Sequence, residues 1–228
     1  MKNESFSDDR VLDAWRRNAR PWARAVRGEK IESRNLITNQ AILDAVLRQS
    51  PATALDIGCG EGWLARALAE EGIEVVGVDA VPELIEQAKR AGGGEFRTMS
   101  YDEIAAGKLD ARADAVIANF SLIGRESVER LLLRIPDLLT DDGSIIIQTL
   151  HPLVACGDLP YADGWREGSW AGIDESFSDP APWYFRTLES WIDLLAHSGF
   201  NDPEMREPLH PETNQPASVI FIARASGA

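Results

Sequence analysis

Residues 55–63 read Leu-Asp-Ile-Gly-Cys-Gly-Glu-Gly-Trp, so Gly58, Gly60 and Gly62 alternate between a short apolar run and a helical pattern. The run from Ala54 to Ile57 reads as a strand. The segment from Trp63 to Glu71 repeats Leu64, Ala67 and Leu68 at helical spacing and stops before Gly72. A strand entering a helix through glycines restricts the chain to an α/β sheet with a ligand edge. Such a turn is tight, lets a ligand lie against bare backbone, and aims the amides and positive dipole end of the following helix at it.

The same alternation recurs along the chain. Val75 to Val78 predicts a second strand and Pro82 to Arg90 its helix, with Pro82 suited to a first turn. Glu95 to Thr98 is a third strand and Ala115 to Asn119 a fourth. Ser127 to Leu139 is a helix kinked near Pro136, and Ser144 to Thr149 a fifth strand. Leu188 to His197 is a late helix, and Glu204 to Glu207 and Ala217 to Ala223 are two closing strands. With no helix between them the last two must pair as a hairpin, so one runs antiparallel to the rest. The expected fold is α/β: a seven-stranded, mostly parallel sheet with the last strand antiparallel and helices on both faces. Residues 1–50 form a helical arm or cap that includes Trp15, Trp22 and a helix from Ser33 to Gln49, and residues 51–228 form the sheet domain. Within that domain, residues 153–187 lack either period and are rich in Gly, Pro, Asp and aromatics, which reads as an insertion and a lid over an acceptor pocket.

At 228 residues one core needs no staples, and the 2 cysteines, Cys59 and Cys156, show neither a disulfide framework nor a zinc pattern. No metal is expected. The polar start MKNESFSDDR has no apolar leader, and no run approaches the roughly 18 apolar residues of a span, so a soluble, cytoplasmic protein off the membrane is expected. A net charge of −14 opposes nucleic acid as a partner. The basic stretch from Arg10 to Arg34 reads as a solvated helix face rather than an anion site.

About 20 residues past the turn, Asp79 ends the second strand, where a carboxylate can accept both hydroxyls of a ribose. With the glycines it specifies an adenosine-type ligand. A dinucleotide turn wants a third small residue where Trp63 stands. Asp56, two residues before Gly58, would meet an ammonium far better than a pyrophosphate. Both features weigh against a nicotinamide-dependent oxidoreductase, the main rival reading.

LDIGCGEG followed by VVGVDAVPELIEQAK, then ADAVIANFSL and LLTDDGSIIIQTLHP, resembles the ordered motifs of class I, Rossmann-like S-adenosylmethionine-dependent methyltransferases of the small-molecule type, over roughly residues 34 to 224. The resemblance implies S-adenosylmethionine as cofactor and S-adenosylhomocysteine as product. It implies that Asp56, Gly58, Cys59 and Gly60 cradle the methionine part and that Asp79 takes the ribose. It places Ala80 and Val81 beside the adenine, and Asn119 and Phe120 near the sulfonium. Ser100 stands where relatives carry an acid for the adenine amine, with the backbone of Tyr101, or Asp102 in a shifted register, as substitutes. Arg34 begins a helix that in relatives lies over the cofactor carboxylate. Cys59 itself reads as a small packing residue rather than a nucleophile.

His151, directly after the fifth strand at the ligand edge, is the candidate general base, or else merely satisfies its loop; His197 and His210 read as structural. The insertion concentrates Tyr161, Trp165, Trp170, Phe177, Trp183, Tyr184 and Phe185. Tyr161, Trp165 and Trp183, with Trp22 of the arm, are the expected walls of the acceptor pocket. The activity these features imply is methyl transfer to a small-molecule acceptor. A non-catalytic module that only binds the cofactor is the remaining alternative. The fourth motif, Asn119-Phe120-Ser121-Leu122, lacks the NPPY-type signature of methylases acting on bases or glutamine.

Overall fold

In the computed structural model of the chain, residues 6–173 and 175–225 are described; the first five residues of the arm, Asp174 of the insertion and the last three residues lie outside. The elements in order are α1 (Asp8–Arg27), a π-helical turn (Arg34–Thr38), α2 (Asn39–Leu47), β1 (Thr53–Ile57), α3 (Trp63–Glu70), β2 (Glu74–Asp79), α4 (Pro82–Ala91), β3 (Glu95–Thr98) and α5 (Tyr101–Ala105). There follow β4 (Ala113–Asn119), α6 (Glu126–Arg134), a 3-10 turn (Ile135–Leu138), β5 (Leu139–Thr149), α7 (Pro152–Ala155), β6 (Gly164–Arg166), β7 (Trp183–Phe185), α8 (Leu188–His197), β8 (Glu204–Arg206) and β9 (Val219–Arg224).

The main sheet has seven strands in the order β3-β2-β1-β4-β5-β9-β8. The first five run parallel, β9 is antiparallel to β5, and β8 is antiparallel to β9. The expected architecture is therefore present, with the antiparallel direction carried by β9. Both faces are covered, which is why the strands read as continuous apolar runs. Leu55, Ile57, Val116, Ala118, Ile145 and Ile147 pack one way, with α6 and α8. Ala54, Ala115, Ile117 and Ile146 pack the other way, with α2 and α3. That alternation fixes the face of the polar residues that end each strand. Among the described residues no helix is long and apolar enough to cross a membrane.

Three local expectations shift. The Ser33–Gln49 helix opens with the π-helical turn, the Ser127–Leu139 helix tightens to 3-10 geometry at Pro136, and β5 begins at Leu139 rather than Ser144. Its early start was hidden because Asp141-Asp142-Gly143 reads as a turn; the register skips there, with Leu139 paired to Ala113 and Ser144 to Ala115. The aperiodic insertion contains the small β6–β7 hairpin. α1 lies against α4, burying Ala19 and Ala23 on Val81 and Leu84.

At the edge opposite the glycine turn, Asp114 ties three strands together. Its carboxylate accepts from the amides of Ala52 and Thr53 (3.0 and 2.9 Å) and from the hydroxyls of Thr53 and Thr140 (3.0 and 2.9 Å). These donors hold it below the usual carboxylate range. Asp114→Ala should cost about 2 kcal/mol in urea unfolding at pH 7, because two amides and two hydroxyls lose a charged acceptor. A carboxylate with a depressed pKa stabilises above its unfolded-state pKa and loses that contribution as pH falls. The gap between variant and wild type should therefore narrow below about pH 4.

Candidate functional site

At the carboxyl edge of β1, β2 and β4 lies a cleft of about 1090 Å³, part of it open to solvent. The glycine turn forms its floor. The amides of Gly58 and Cys59 both donate to Val78 O (2.8 and 3.0 Å), which pins the turn to β2. Gly58 has φ +75°, and a Cβ there would sit 2.4 Å from Ser121 Cβ, so no side chain fits. Ser121 in turn donates to Ile57 O (2.7 Å) and accepts, at its carbonyl, the hydroxyl of Tyr101 (3.0 Å). The ends of β1, β2 and β4 are thus knit into one rim.

Two carboxylates stand at this rim. Asp79 reaches the cleft and accepts from the amides of Gly60 (3.0 Å) and Val81 (2.8 Å). Burial nevertheless pushes its carboxyl up to about 6, against the pull of those two donors. Asp56 is buried just behind the wall, and its Oδ2 has no partner. Burial first, and the charge of Asp79 second, push it up to about 7, with Arg34 opposing. Arg34 is also buried, its guanidinium lying 5.5 Å from the Trp22 ring centroid and 4.9 Å from that of Trp63. Its Nη2 has no partner, and burial lowers it to about 10. Glu61, wholly buried, is matched by Arg27 (2.7 Å) and Arg66 (2.8 Å).

The row of unpartnered polar atoms continues past these residues. Thr38 Oγ1, Asn119 Oδ1 and Gln148 Oε1 are also buried without a partner. Asn119 lies beside Gln148 in the β4–β5 register, and Ser218 fixes the Gln148 amide (2.9 Å). By the strand alternation Asp56, Asn119 and Gln148 share the sheet face under α2 and the π-helical turn. Buried polar groups are nearly always satisfied, and of these residues Arg34 and Asn119 stand on the cleft wall, where a ligand's polar end could meet their open atoms. Sequence reasoning missed Thr38, Gln148 and Ser218, because a polar residue within a helical turn or at a strand end looks like any other.

Of the expected residues, Trp22, Arg34, Gly58, Cys59, Gly60, Asp79, Ala80, Val81, Ser100, Tyr101, Asp102, Asn119 and Phe120 all line the cleft. Cys59 is buried, with its thiol pushed up by desolvation. Ser100 caps α5: its Oγ accepts from Glu103 N (3.3 Å), and the Glu103 carboxylate accepts from Ser100 N (3.1 Å). Phe120 is held at φ +52° and its amide donates to Gln148 O (2.8 Å).

His151, Tyr161, Trp165 and Trp183 are not on the cleft wall. The His151 ring is buried with Nε2 2.7 Å from Glu207 Oε1, so it faces the β8 end of the sheet. Tyr161 accepts from Leu188 N (2.8 Å) and donates to Glu189 (3.2 Å). Trp165 packs on Tyr184, and Trp183 on Phe185, forming a satellite cluster around the β6–β7 hairpin. The far wall is built instead by Val11, Leu12 and Trp15 of α1 with Ile123 and Gly124. The insertion reaches the cleft indirectly, through Trp170 packed 5.6 Å from Trp15. Of this helix, sequence reasoning named Trp22 as a wall; Val11, Leu12 and Trp15 stand on the cleft beside it.

The family model described as "Methyltransferase domain" matches residues 29–204. An uncharacterized methyltransferase of Mycobacterium tuberculosis is 32% identical over 57% of this chain and 72% of its own. A ubiquinone biosynthesis O-methyltransferase of Xylella fastidiosa is 51% identical over 46% of this chain and 45% of its own. The crystal structure of Burkholderia thailandensis 1,6-didemethyltoxoflavin-N1-methyltransferase, with that compound and S-adenosylhomocysteine bound, shares the fold at TM-score 0.65 and 23% identity, over 95% of this chain and 88% of that one.

The raised carboxyls give the ligand-free chain a pH signature. An acid whose folded pKa exceeds its unfolded value favours the fold while protonated, and that contribution is lost as pH rises through the folded pKa. Thermal unfolding of the free protein should therefore show Asp56→Asn close to wild type near pH 4 and stabilised by on the order of 3 kcal/mol at pH 8. A difference independent of pH would contradict the placement of Asp56.

Proposed function

The chain belongs to the methyltransferase-domain family, and from that membership we propose that it transfers the methyl group of S-adenosylmethionine to a small-molecule acceptor, leaving S-adenosylhomocysteine. The observation that carries this reading is the pairing of Asp56 and Asp79 across the glycine turn, beside an Arg34 that has an open donor. The residues fit the cofactor. Asp56, with Asn119, offers open acceptors for an ammonium; Arg34 and Thr38 offer donors for a carboxylate; Asp79 presents its carboxylate to a ribose. Ala80, Val81 and the Ser100–Tyr101 segment line the remaining edge for the adenine. When bound, the cofactor supplies an electrophilic methyl group on a sulfonium.

The chain's own contribution is alignment and exclusion of water. Phe120, Leu12, Trp15 and Ile123 give the acceptor end apolar walls, and α1 roofs it, which supports a free small molecule rather than a residue of a macromolecule. The 1,6-didemethyltoxoflavin bound by the Burkholderia protein is of that kind. His151, turned toward Glu207, has no place in proton transfer on this reading. A net charge of −14 supports the exclusion of nucleic acid, and two unbridged cysteines support a reducing, cytoplasmic setting.

A nicotinamide reading is disfavoured where it would place its pyrophosphate. Trp63 fills the start of α3 and stacks on Arg34, while Asp56 and Glu61 bring negative charge under the turn. Isothermal titration should show S-adenosylmethionine and S-adenosylhomocysteine binding to wild type, no binding of NAD, and about 100-fold weaker binding by Asp79→Ala, the cost of two charge-assisted hydrogen bonds. Undiminished binding by that variant would remove the basis of the proposal. Single turnover of methyl-labelled cofactor against a metabolite extract separates an enzyme from a module that binds without transferring label.

A further inference from the structure

α1 is fastened by two kinds of contact. Apolar packing runs along it, with Ala19 and Ala23 on Val81 and Leu84 and with Leu12 and Trp15 against the same cluster, and Arg27 ties its end to the buried Glu61 (2.7 Å). Its first half, which supplies Val11, Leu12 and Trp15 to the cleft, adds polar contacts to two other segments. Asp8 Oδ1 accepts from Arg125 N and Oδ2 from Ser127 N, both at 2.7 Å, so a side chain of α1 caps the N-terminus of α6. A Cβ on Gly124 would lie 2.7 Å from Asp8 Oδ1, so the bare backbone there is what admits the carboxylate. On the other flank Asn18 and Ser178 exchange two hydrogen bonds (2.7 and 2.9 Å), and Arg10 (3.1 Å) and Arg17 (2.5 Å) converge on Asp179. Pro21 lies inside the helix between the two halves. Its missing N–H breaks the hydrogen-bond ladder at that point and makes it the natural place to flex.

We propose that the first half of α1 is a gate that swings about Pro21, latched shut by Asp8 on α6 and by the 178–179 strap, and that passage of S-adenosylhomocysteine into and out of the cleft waits on its opening. This rests on the reading of the cleft as the cofactor site. Asp8 and Ser127 line the acceptor end of the cleft beside Gly124, away from the walls built by β1 and β2, and Asp179 stands outside the cleft, so loosening the latch changes how often the gate opens without removing a contact at the cofactor walls. Both association and dissociation then accelerate together, since the gate is shut with or without ligand. The braces behind Arg125 fit the same role. Arg186 donates to the carbonyls of Gly124 (2.9 Å) and Arg125 (3.1 Å), and Tyr184 N donates to Ile123 O (2.8 Å), so the insertion holds the catch rigid.

The test is stopped-flow tryptophan fluorescence with S-adenosylhomocysteine, since Trp22 and Trp63 line the cleft. Asp8→Ala should raise both rate constants about 5-fold, the loss of one helix cap. Asp179→Ala, at a half-exposed ion pair, should raise both about 2-fold. Their ratio, the dissociation constant, should stay within about 2-fold of wild type in each. Rates unchanged in both variants, or a faster dissociation alone with matching loss of affinity, would overturn the gate. If Asp8→Ala fails to fold, Asp179→Ala decides by itself. Absence of binding by wild type would instead remove the cofactor reading, and the gate with it.

Discussion

The structure is organised around two carboxylates that end adjacent strands in a place too dry for either to ionise easily. Asp56 and Asp79 sit at the tips of β1 and β2, with one bend of bare backbone between them, and each titrates well above an ordinary aspartate. Burying a charge without compensation is costly, and the raised carboxyls express that cost as a preference for the neutral form. Everything nearby sustains that arrangement. The glycines bring the backbone close, Glu61 absorbs Arg27 and Arg66, and Arg34 is left between two indoles with a donor to spare.

The fold supplies this site as a by-product of its topology. Parallel strands converge at one edge, and the alternation of side chains puts Asp56, Asn119 and Gln148 on one face beneath the π-helical turn. The α1 helix then closes the far side. Its docking on α4 is apolar, whereas its hold on α6 and on the strap is polar. A single helix thus serves as both wall and cover.

Much of this was legible in the residues. The glycine turn, the acid ending the second strand and the alternation of runs specified the sheet, its closing hairpin and the adenosine-type ligand, because each is a local rule about backbone freedom or periodicity. What escaped reading depended on distant partners. His151 has the right place on the strand for a base, yet Glu207, 56 residues on, turns it away. The aromatics of the insertion have the composition of a pocket, yet Tyr161, Trp165 and Trp183 satisfy one another around a hairpin. Ser100 was expected to face a ligand, and its hydroxyl is engaged by Glu103 in a capping box, a pattern visible as Ser-x-x-Glu. Asp8 looks like an ordinary first-turn acid of its own helix and instead caps another one.

The claim on which the account turns is that the two strand-tip acids are held partly protonated until the ammonium and the ribose of the cofactor arrive. Proton release on binding S-adenosylmethionine reports this directly, from titration heats at pH 6 in buffers of differing ionisation enthalpy. The account predicts release of on the order of one proton per site, falling sharply in Asp56→Asn. Binding with no proton release, or with uptake, would contradict it.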